Sequence, residues 1–274
     1  MNKSKNLFFL LLLLNSTNSL AYAVNDRFII EQQDKLLEST KGKGFGPQSP
    51  RDIDNLSGDN SVIFSLSPHY TKMNLCNIHF HKNAEHKGGE FTLYSGNGDG
   101  KGNNTGYKYN GNLTKNELRP FAHSELSPGD TIEVHYVHSS ADVKPGPTLG
   151  ACLSDSISNP QLRVEAQVYV LVNDPKALDF VHLTRHGWSD GYYQAFNIPD
   201  NTGKTIQYLG STTGPSYNEK ASPLQVTWSV RPRVAKVSIR SVSEWLKDND
   251  FDENHAHGVR NLIINKELLS PIYN

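Results

Sequence analysis

The side chains of Thr131–His138 alternate in character with a period of two. A β-strand places successive side chains on opposite faces, whereas a helix repeats about every 3.6 residues. The alternation therefore predicts a strand with two chemically different faces. One face would carry Ile132, Val134, Tyr136 and His138, and the other would carry Glu133, His135 and Val137.

Short apolar runs separated by turn residues continue along the chain from about residue 46. Helical signal is sparse, and its clearest case is a short helix within Ser241–Lys247. We find no internal repeat and no domain linker, so the sequence predicts one mainly β (α+β) domain over residues 46–274. Further strands are predicted at Ser61–Leu66, Asn77–His81, Val164–Val172, Leu224–Val230 and Val234–Ile239.

The N-terminus has the features of a secretion signal. Two lysines precede an apolar run at residues 7–14, and Ala21-Tyr22-Ala23 fits the small-x-small pattern before a cleavage site. The run is short for a bilayer span, which disfavours the alternative of a membrane anchor. We therefore predict a signal peptide at residues 1–23, a secreted or periplasmic protein, and a flexible lead-in at residues 24–45.

Acidic and basic side chains are nearly equal in number, 28 against 27, and the formal net charge is -1. A balanced charge offers no general attraction to nucleic acid or to an anionic membrane surface. We expect neither as a partner once the signal peptide is removed.

The chain has two cysteines, Cys76 and Cys152. In an exported protein, an oxidising compartment favours their pairing in a disulfide. Two free buried thiols are the alternative, since the sequence does not give the distance between the two residues.

His79 and His81 lie two residues apart in a predicted strand and therefore share a face. Adjacent imidazoles are poor core fillers, but a neutral imidazole nitrogen is a preferred ligand of zinc. A surface pair, or a pair satisfied by hydrogen bonds in the core, is the alternative for so short a pattern.

His135 supplies a third imidazole if the two strands lie close together. Three histidines with an open fourth position are typical of a catalytic zinc site. Each strand also places a polar residue two positions before a ligand, Asn77 before His79 and Glu133 before His135. We expect Asn77 and Glu133 to accept hydrogen bonds from the second ring nitrogens and so to fix the tautomers.

Four segments resemble the carbonic anhydrases and follow one another in the order used by the alpha class. They are Gln48-Ser49-Pro50 with Ile53-Asp54, Asn77–His81, Glu133–His138, and Tyr208–Pro215 with Val226-Thr227-Trp228. The compact pattern formed by His79, His81, Glu85 and His86 is more similar to the delta class. The resemblance extends over roughly residues 45–265 as motifs in order.

The resemblance implies a central, mostly antiparallel twisted β-sheet with a few short peripheral helices. It also implies a zinc lyase with one zinc per chain, which hydrates carbon dioxide reversibly to bicarbonate by attack of zinc-bound hydroxide. The metal ligands would be His79, His81 and His135.

The same resemblance assigns roles to other residues. Glu85 would accept a hydrogen bond from the threonine that orients the hydroxide, and that threonine is either Thr213 or Thr212. Val137, Val226 and Trp228 would form the apolar wall against which carbon dioxide rests.

Several histidines have no confident match in the family. His69 and His86 are nearest in position to a proton-shuttling residue, but we expect both to be bystanders. The segment His255–His257 resembles a part of the family where backbone groups support a ligand histidine, and its own side chains are interpreted as surface or structural.

Two other interpretations remain open. A cupin-type metal enzyme also uses the spacing of His79, His81 and Glu85, but it leaves the threonine segment unexplained. A non-catalytic zinc-binding module with the carbonic anhydrase fold is the second, although such relatives usually lose a ligand histidine.

Overall fold

A computed structural model describes residues 23–122, 125–214 and 216–273. The predicted signal peptide falls on residues 1–22 and Ala23, so nearly all of it lies outside these ranges. Across the described ranges, no helix has both the length and the apolar character needed to cross a membrane.

The described chain forms a mostly β structure with peripheral helices. In chain order its elements are α1 (Asp26–Thr40), β1 (Asn74–Lys82), β2 (Leu93–Tyr94), β3 (Tyr107–Lys108), β4 (Thr131–Ser139), β5 (Leu162–Val172), α2 (Phe180–Leu183), β6 (His186–Ser189), β7 (Tyr192–Ala195), β8 (Ile206–Ser211), β9 (Gln225–Val230), β10 (Ala235–Ser238) and α3 (Ile239–Trp245). Short 3₁₀ helices lie at Tyr70–Lys72, Leu149–Cys152 and Lys266–Leu268.

A six-stranded mixed sheet forms the centre, with the strand order β1-β4-β5-β9-β8 and with β10 also paired to β5. The pairings β1–β4, β4–β5 and β8–β9 are antiparallel, whereas β5–β9 and β5–β10 are parallel. Strand β5 accommodates both parallel neighbours because β9 pairs with its first half and β10 with its second half. The predicted mainly β class is confirmed, and the sheet is more mixed than expected.

Both faces of the central sheet are covered, and all nine residues of β4 are buried. One face of β4 packs Ile132, Val134 and Tyr136 against α2 and α3, a cluster we call the helix-side core. The other face packs Val137 with Val164 and Trp228 of neighbouring strands, a cluster we call the site-side core. The alternation predicted for this strand is therefore confirmed.

Cys76 and Cys152 form a disulfide, as predicted. It joins β1 to the 3₁₀ helix Leu149–Cys152 across a sequence separation of 76 residues. Both half-cystines belong to the site-side core.

The flexible lead-in expected at residues 24–45 is instead largely the helix α1, which packs on the domain. Asn25 caps the helix by accepting a hydrogen bond from the Phe28 amide, and Leu36 is completely buried. The Gln33 side chain donates to the Leu262 carbonyl and accepts from the Ile264 amide. The buried positions recur at helical spacing, a pattern that the neighbouring charges and glycines obscured.

The strand predicted at Ser61–Leu66 is wrong, because this segment has no regular structure and Ile63 is 89% exposed. Its apolar residues resemble a strand locally, but a strand needs a partner for its backbone groups. The other predicted strands lie within or overlap β1, β4, β5, β9 and β10, and the predicted helix overlaps α3.

Candidate metal centre

Neighbouring strands bring the three predicted ligands together. In the antiparallel register of β1 and β4, His79 lies directly opposite His135 and His81 lies opposite Glu133. Residues at directly opposed positions on one face have neighbouring side chains, so the pairing places three imidazoles in one cluster. His81 and His135 are buried, and His79 is partly exposed.

Each imidazole has one nitrogen held by an acceptor. His79 Nδ1 lies 2.6 Å from Asn77 Oδ1, and His81 Nδ1 lies 2.7 Å from the Gly258 carbonyl oxygen. His135 Nε2 lies 3.1 Å from Glu133 Oε1. Since carbonyl and carboxylate oxygens only accept, these three ring nitrogens carry the hydrogens.

The lone pairs therefore lie on the three remaining nitrogens, and one ring nitrogen of each histidine lies within 4.8 Å of the other two. His79 Nε2 and His135 Nδ1 are 3.3 Å apart. Two nitrogens bound at 2.0–2.1 Å to one tetrahedral zinc lie about 3.3–3.4 Å apart, so the spacing fits a shared ion. Burial, followed by the neighbouring His135, lowers the pKa of His79 well below its usual value. Burial also lowers the pKa of His81, although the nearby Glu85 carboxylate opposes this shift.

Glu133 links the cluster to a second buried histidine. Its Oε1 lies 2.6 Å from His86 Nδ1, and its Oε2 accepts from the His86 amide. Burial opposes ionisation of Glu133, but the charge of His86 and the hydrogen bonds outweigh it and hold the pKa of the carboxyl well below its usual range. His86, Glu133 and His135 also form a compact group of potential ligands, but hydrogen bonds already occupy the facing atoms.

Glu85 is buried beside the ligands, 3.8 Å from His81 Nδ1 and 4.0 Å from His135 Nε2. It accepts a long hydrogen bond of 3.4 Å from the Arg260 amide. Within the described ranges no hydrogen bond joins Glu85 to Thr212 or Thr213. The Thr212 hydroxyl donates to Ser222 at 2.6 Å. The threonine partner of Glu85 therefore stays a prediction.

A cavity of about 210 Å³ opens onto the three ligands. Val137 and Trp228 line it, together with Val164 and Leu149. Val226 is buried in the site-side core and is not among the lining residues, and the apolar wall for carbon dioxide stays a prediction. The polar residues that line the cavity include Ser49, Glu85, Thr148, Thr212, Thr213, Tyr217, Glu253 and His257.

The family model for delta carbonic anhydrases matches residues 70–241. The chain belongs to the delta carbonic anhydrase family. The match covers β1 and β4 with all three histidines of the cluster. It replaces the cupin interpretation, in which Glu85 would itself have been a ligand. No match to a curated protein sequence was found.

Two solved structures are similar to this chain at low identity. The alpha-carbonic anhydrase from Thermovibrio ammonificans, in complex with the inhibitor sulfanilamide, is 15% identical with a TM-score of 0.34, over 84% of this chain and 88% of that chain. A halotolerant carbonic anhydrase from Dunaliella salina is 16% identical with a TM-score of 0.37, over 91% of this chain and 98% of that chain.

The segment around Gly258 is more important than the sequence indicated. Its carbonyl supports His81, in agreement with the family resemblance, but His257 also lines the cavity, with Nε2 2.6 Å from Glu253. Only the repeated His-x-His spacing of His255 and His257 hinted at a role near a metal.

His86 and His69, the residues nearest in sequence position to a proton shuttle, differ in their surroundings. The ring nitrogens of His86 are engaged by Glu133 and, at 2.6 Å, by the Tyr208 hydroxyl, and the residue is fully buried. His69 is exposed, bonds to Thr71 and is not among the residues that line the cavity. The bystander role expected for both residues stays a prediction.

Proposed function

We propose that this protein is a zinc carbonic anhydrase that catalyses the reversible hydration of carbon dioxide to bicarbonate and a proton. One observation carries the proposal. One nitrogen from each of three imidazoles lies within 4.8 Å of the other two, and each ring has an acceptor at a second nitrogen. Family membership supports the same assignment.

His79, His81 and His135 would hold the metal, and Asn77, Gly258 and Glu133 would orient their rings. A zinc ion bound by three histidines supplies Lewis-acid activation of water near neutral pH, which is the established chemistry of carbonic anhydrases. The neutral ligands leave the charge of the ion uncompensated. The buried carboxylates of Glu85 and Glu133 would not bind the ion, because they accept hydrogen bonds from neighbouring protein groups.

The apolar side of the cavity would hold carbon dioxide. Val137, Val164 and Trp228 lie on this side. Carbon dioxide would rest against these three side chains without hydrogen bonds to them. Thr213 lines the same cavity, and we propose that its hydroxyl orients the attacking oxygen and donates to Glu85 once substrate water is present. The Thr212 hydroxyl, which is bound to Ser222, would instead stabilise the loop.

A carbon dioxide hydration assay with metal analysis tests the proposal. The wild-type protein should contain one zinc per chain, and a chelator should abolish turnover. His135→Ala should lose both zinc and activity, whereas His182→Ala removes an exposed imidazole and should retain both. Thr213→Ala should keep its zinc and lose about 100-fold in kcat.

Two results would contradict the assignment. A His135→Ala variant with a full complement of zinc would remove His135 from the ligand set. Zinc-loaded wild-type protein without turnover would identify a non-catalytic relative that keeps the fold and the metal.

We also propose that the protein is exported, to a secreted or periplasmic location. The leader pattern before Val24 and the disulfide between Cys76 and Cys152 support this proposal. Mass spectrometry of protein from its native host should show a chain that begins at Val24. A chain that retains residues 1–23 would contradict it.

A further inference from the structure

The disulfide anchors the loop that precedes Cys152. This loop also contacts Asn77, the residue that orients the proposed ligand His79. In β1, Leu75 pairs with His138 and Asn77 pairs with Val137, so that Cys76 is the extra residue of a β-bulge. Without the bulge, alternation would place Cys76 on the opposite face from Asn77. The bulge instead turns Cys76 into the site-side core, where it bonds Cys152.

The segment before Cys152 returns to β1 and forms two hydrogen bonds beside the bulge, one with the backbone and one with a side chain. The Gly146 amide donates to the Cys76 carbonyl at 3.0 Å. The Asn77 side-chain amide donates to the Gly146 carbonyl at 3.1 Å, and Asn77 is buried. This second contact determines which way the Asn77 amide faces, because only its nitrogen can donate to a carbonyl.

With the Asn77 nitrogen bound to Gly146, its oxygen faces His79. Asn77 Oδ1 lies 2.6 Å from His79 Nδ1, within hydrogen-bond distance. A continuous chain of contacts therefore runs from the disulfide through Gly146 and Asn77 to His79.

We propose that the Cys76–Cys152 disulfide is a positioning element of the metal centre, acting through Gly146 and Asn77 on His79. The proposal rests on the proposed zinc site. Outer contacts of this kind commonly change metal affinity by 10- to 100-fold when they are lost. The same loop also contributes Thr148 and Leu149 to the cavity lining.

The test measures the rate at which zinc passes from folded protein to an excess of chelator. The variant Cys76→Ala/Cys152→Ala removes the bridge without leaving a free thiolate to bind metal. It should lose zinc about 10-fold faster than wild type. Leu36→Ala, a change in α1, lowers overall stability without removing any member of this chain of contacts and should keep the wild-type rate.

A double-variant comparison separates positioning from general stability. In an Asn77→Ala background the link from Gly146 to His79 is already cut, so removal of the disulfide should change the rate of zinc loss by less than twofold. If the double-alanine variant does not fold, wild-type protein that is folded oxidised and then reduced with a phosphine provides the same comparison, with and without Asn77→Ala.

The opposing outcomes are distinct. An effect of equal size in the wild-type and Asn77→Ala backgrounds, or an unchanged rate after loss of the bridge, would overturn the positioning role and leave the proposed function intact. A wild-type protein that binds no zinc would overturn both. Zinc retention without carbon dioxide turnover would overturn the proposed activity alone.

Discussion

At the residue scale, the proposed metal centre depends on partners that leave each imidazole one free lone pair. Asn77 is a neutral side chain, Gly258 offers a backbone carbonyl, and Glu133 is a charged carboxylate. A charged acceptor raises the basicity of its imidazole more than a neutral one does. We therefore expect Glu133 to contribute most to metal affinity.

Glu133→Gln should weaken zinc binding by about 10- to 100-fold, because the amide preserves the shape but not the charge that stabilises His135. Zinc competition against a chelator measures the change. Glu244→Gln, a substitution of an exposed glutamate on α3, serves as the matched control and should have no effect. An unchanged affinity in Glu133→Gln would remove this carboxylate from the supporting role.

His138 provides a test of pH dependence away from the metal. It is fully buried, and burial lowers its pKa from 6.5 to about 3 despite the hydrogen bond from Nδ1 to the Tyr136 carbonyl. The unfolded chain binds a proton near pH 6.5 that the folded protein does not accept. The stability contributed by neutral His138 is therefore complete above pH 6.5 and is lost progressively as the pH falls toward 3.

Replacement of His138 should flatten the acid side of the stability profile. Wild-type protein should lose about 2 kcal/mol from this residue between pH 8 and pH 5, and His138→Gln should not show that part of the loss. Urea unfolding at the two pH values measures the difference. Equal losses in the two proteins would show that His138 becomes protonated in the folded state.

At the element scale, α1 is part of the domain although it precedes the sheet by many residues. Leu36 packs in a small cluster with Ile263 and Leu268 near the C-terminus. Gln33 adds hydrogen bonds to backbone groups of the same C-terminal segment. The N-terminal helix and the C-terminal segment therefore stabilise each other.

Leu36→Ala should lower the free energy of unfolding by about 2–5 kcal/mol, the usual range for a fully buried leucine. Leu37, which is only partly buried, offers a matched control, and Leu37→Ala should cost less. Chemical denaturation measures both variants. Equal small effects would show that α1 is not docked in solution.

At the scale of the whole molecule, the disulfide closes a loop of 76 residues that contains β4 and most of the metal centre. Reduction should lower the free energy of unfolding by about 2–4 kcal/mol, since the bridge restricts the unfolded chain. Thermal unfolding with and without reductant measures the effect. The variant Cys76→Ala/Cys152→Ala is the control and should be insensitive to reductant, whereas an insensitive wild type would show that the bridge does not form.

The main strands, and the grouping of the candidate ligands and their partners into pairs, could be predicted from the amino-acid sequence. Period-two spacing places His79 and His81 on the same face of their strand, and His135 and Glu133 on the same face of theirs, since alternation in a strand is a local property. The two cysteines likewise had one possible intramolecular partner each. These features depend on neighbours in the chain, and a reader of the sequence can find them.

The contacts between these strands, the loops and α1 depend on the tertiary structure. The Gly258 carbonyl contacts the proposed ligand His81, and the Gly146 carbonyl contacts Asn77, which orients His79. Every residue has a carbonyl, and its use depends on where the chain passes. The docking of α1, the bulge at Cys76 and the engagement of Thr212 by Ser222 likewise depend on packing and pairing beyond local spacing. Local spacing carries no information about such contacts, because the energy that selects them comes from packing the complete fold.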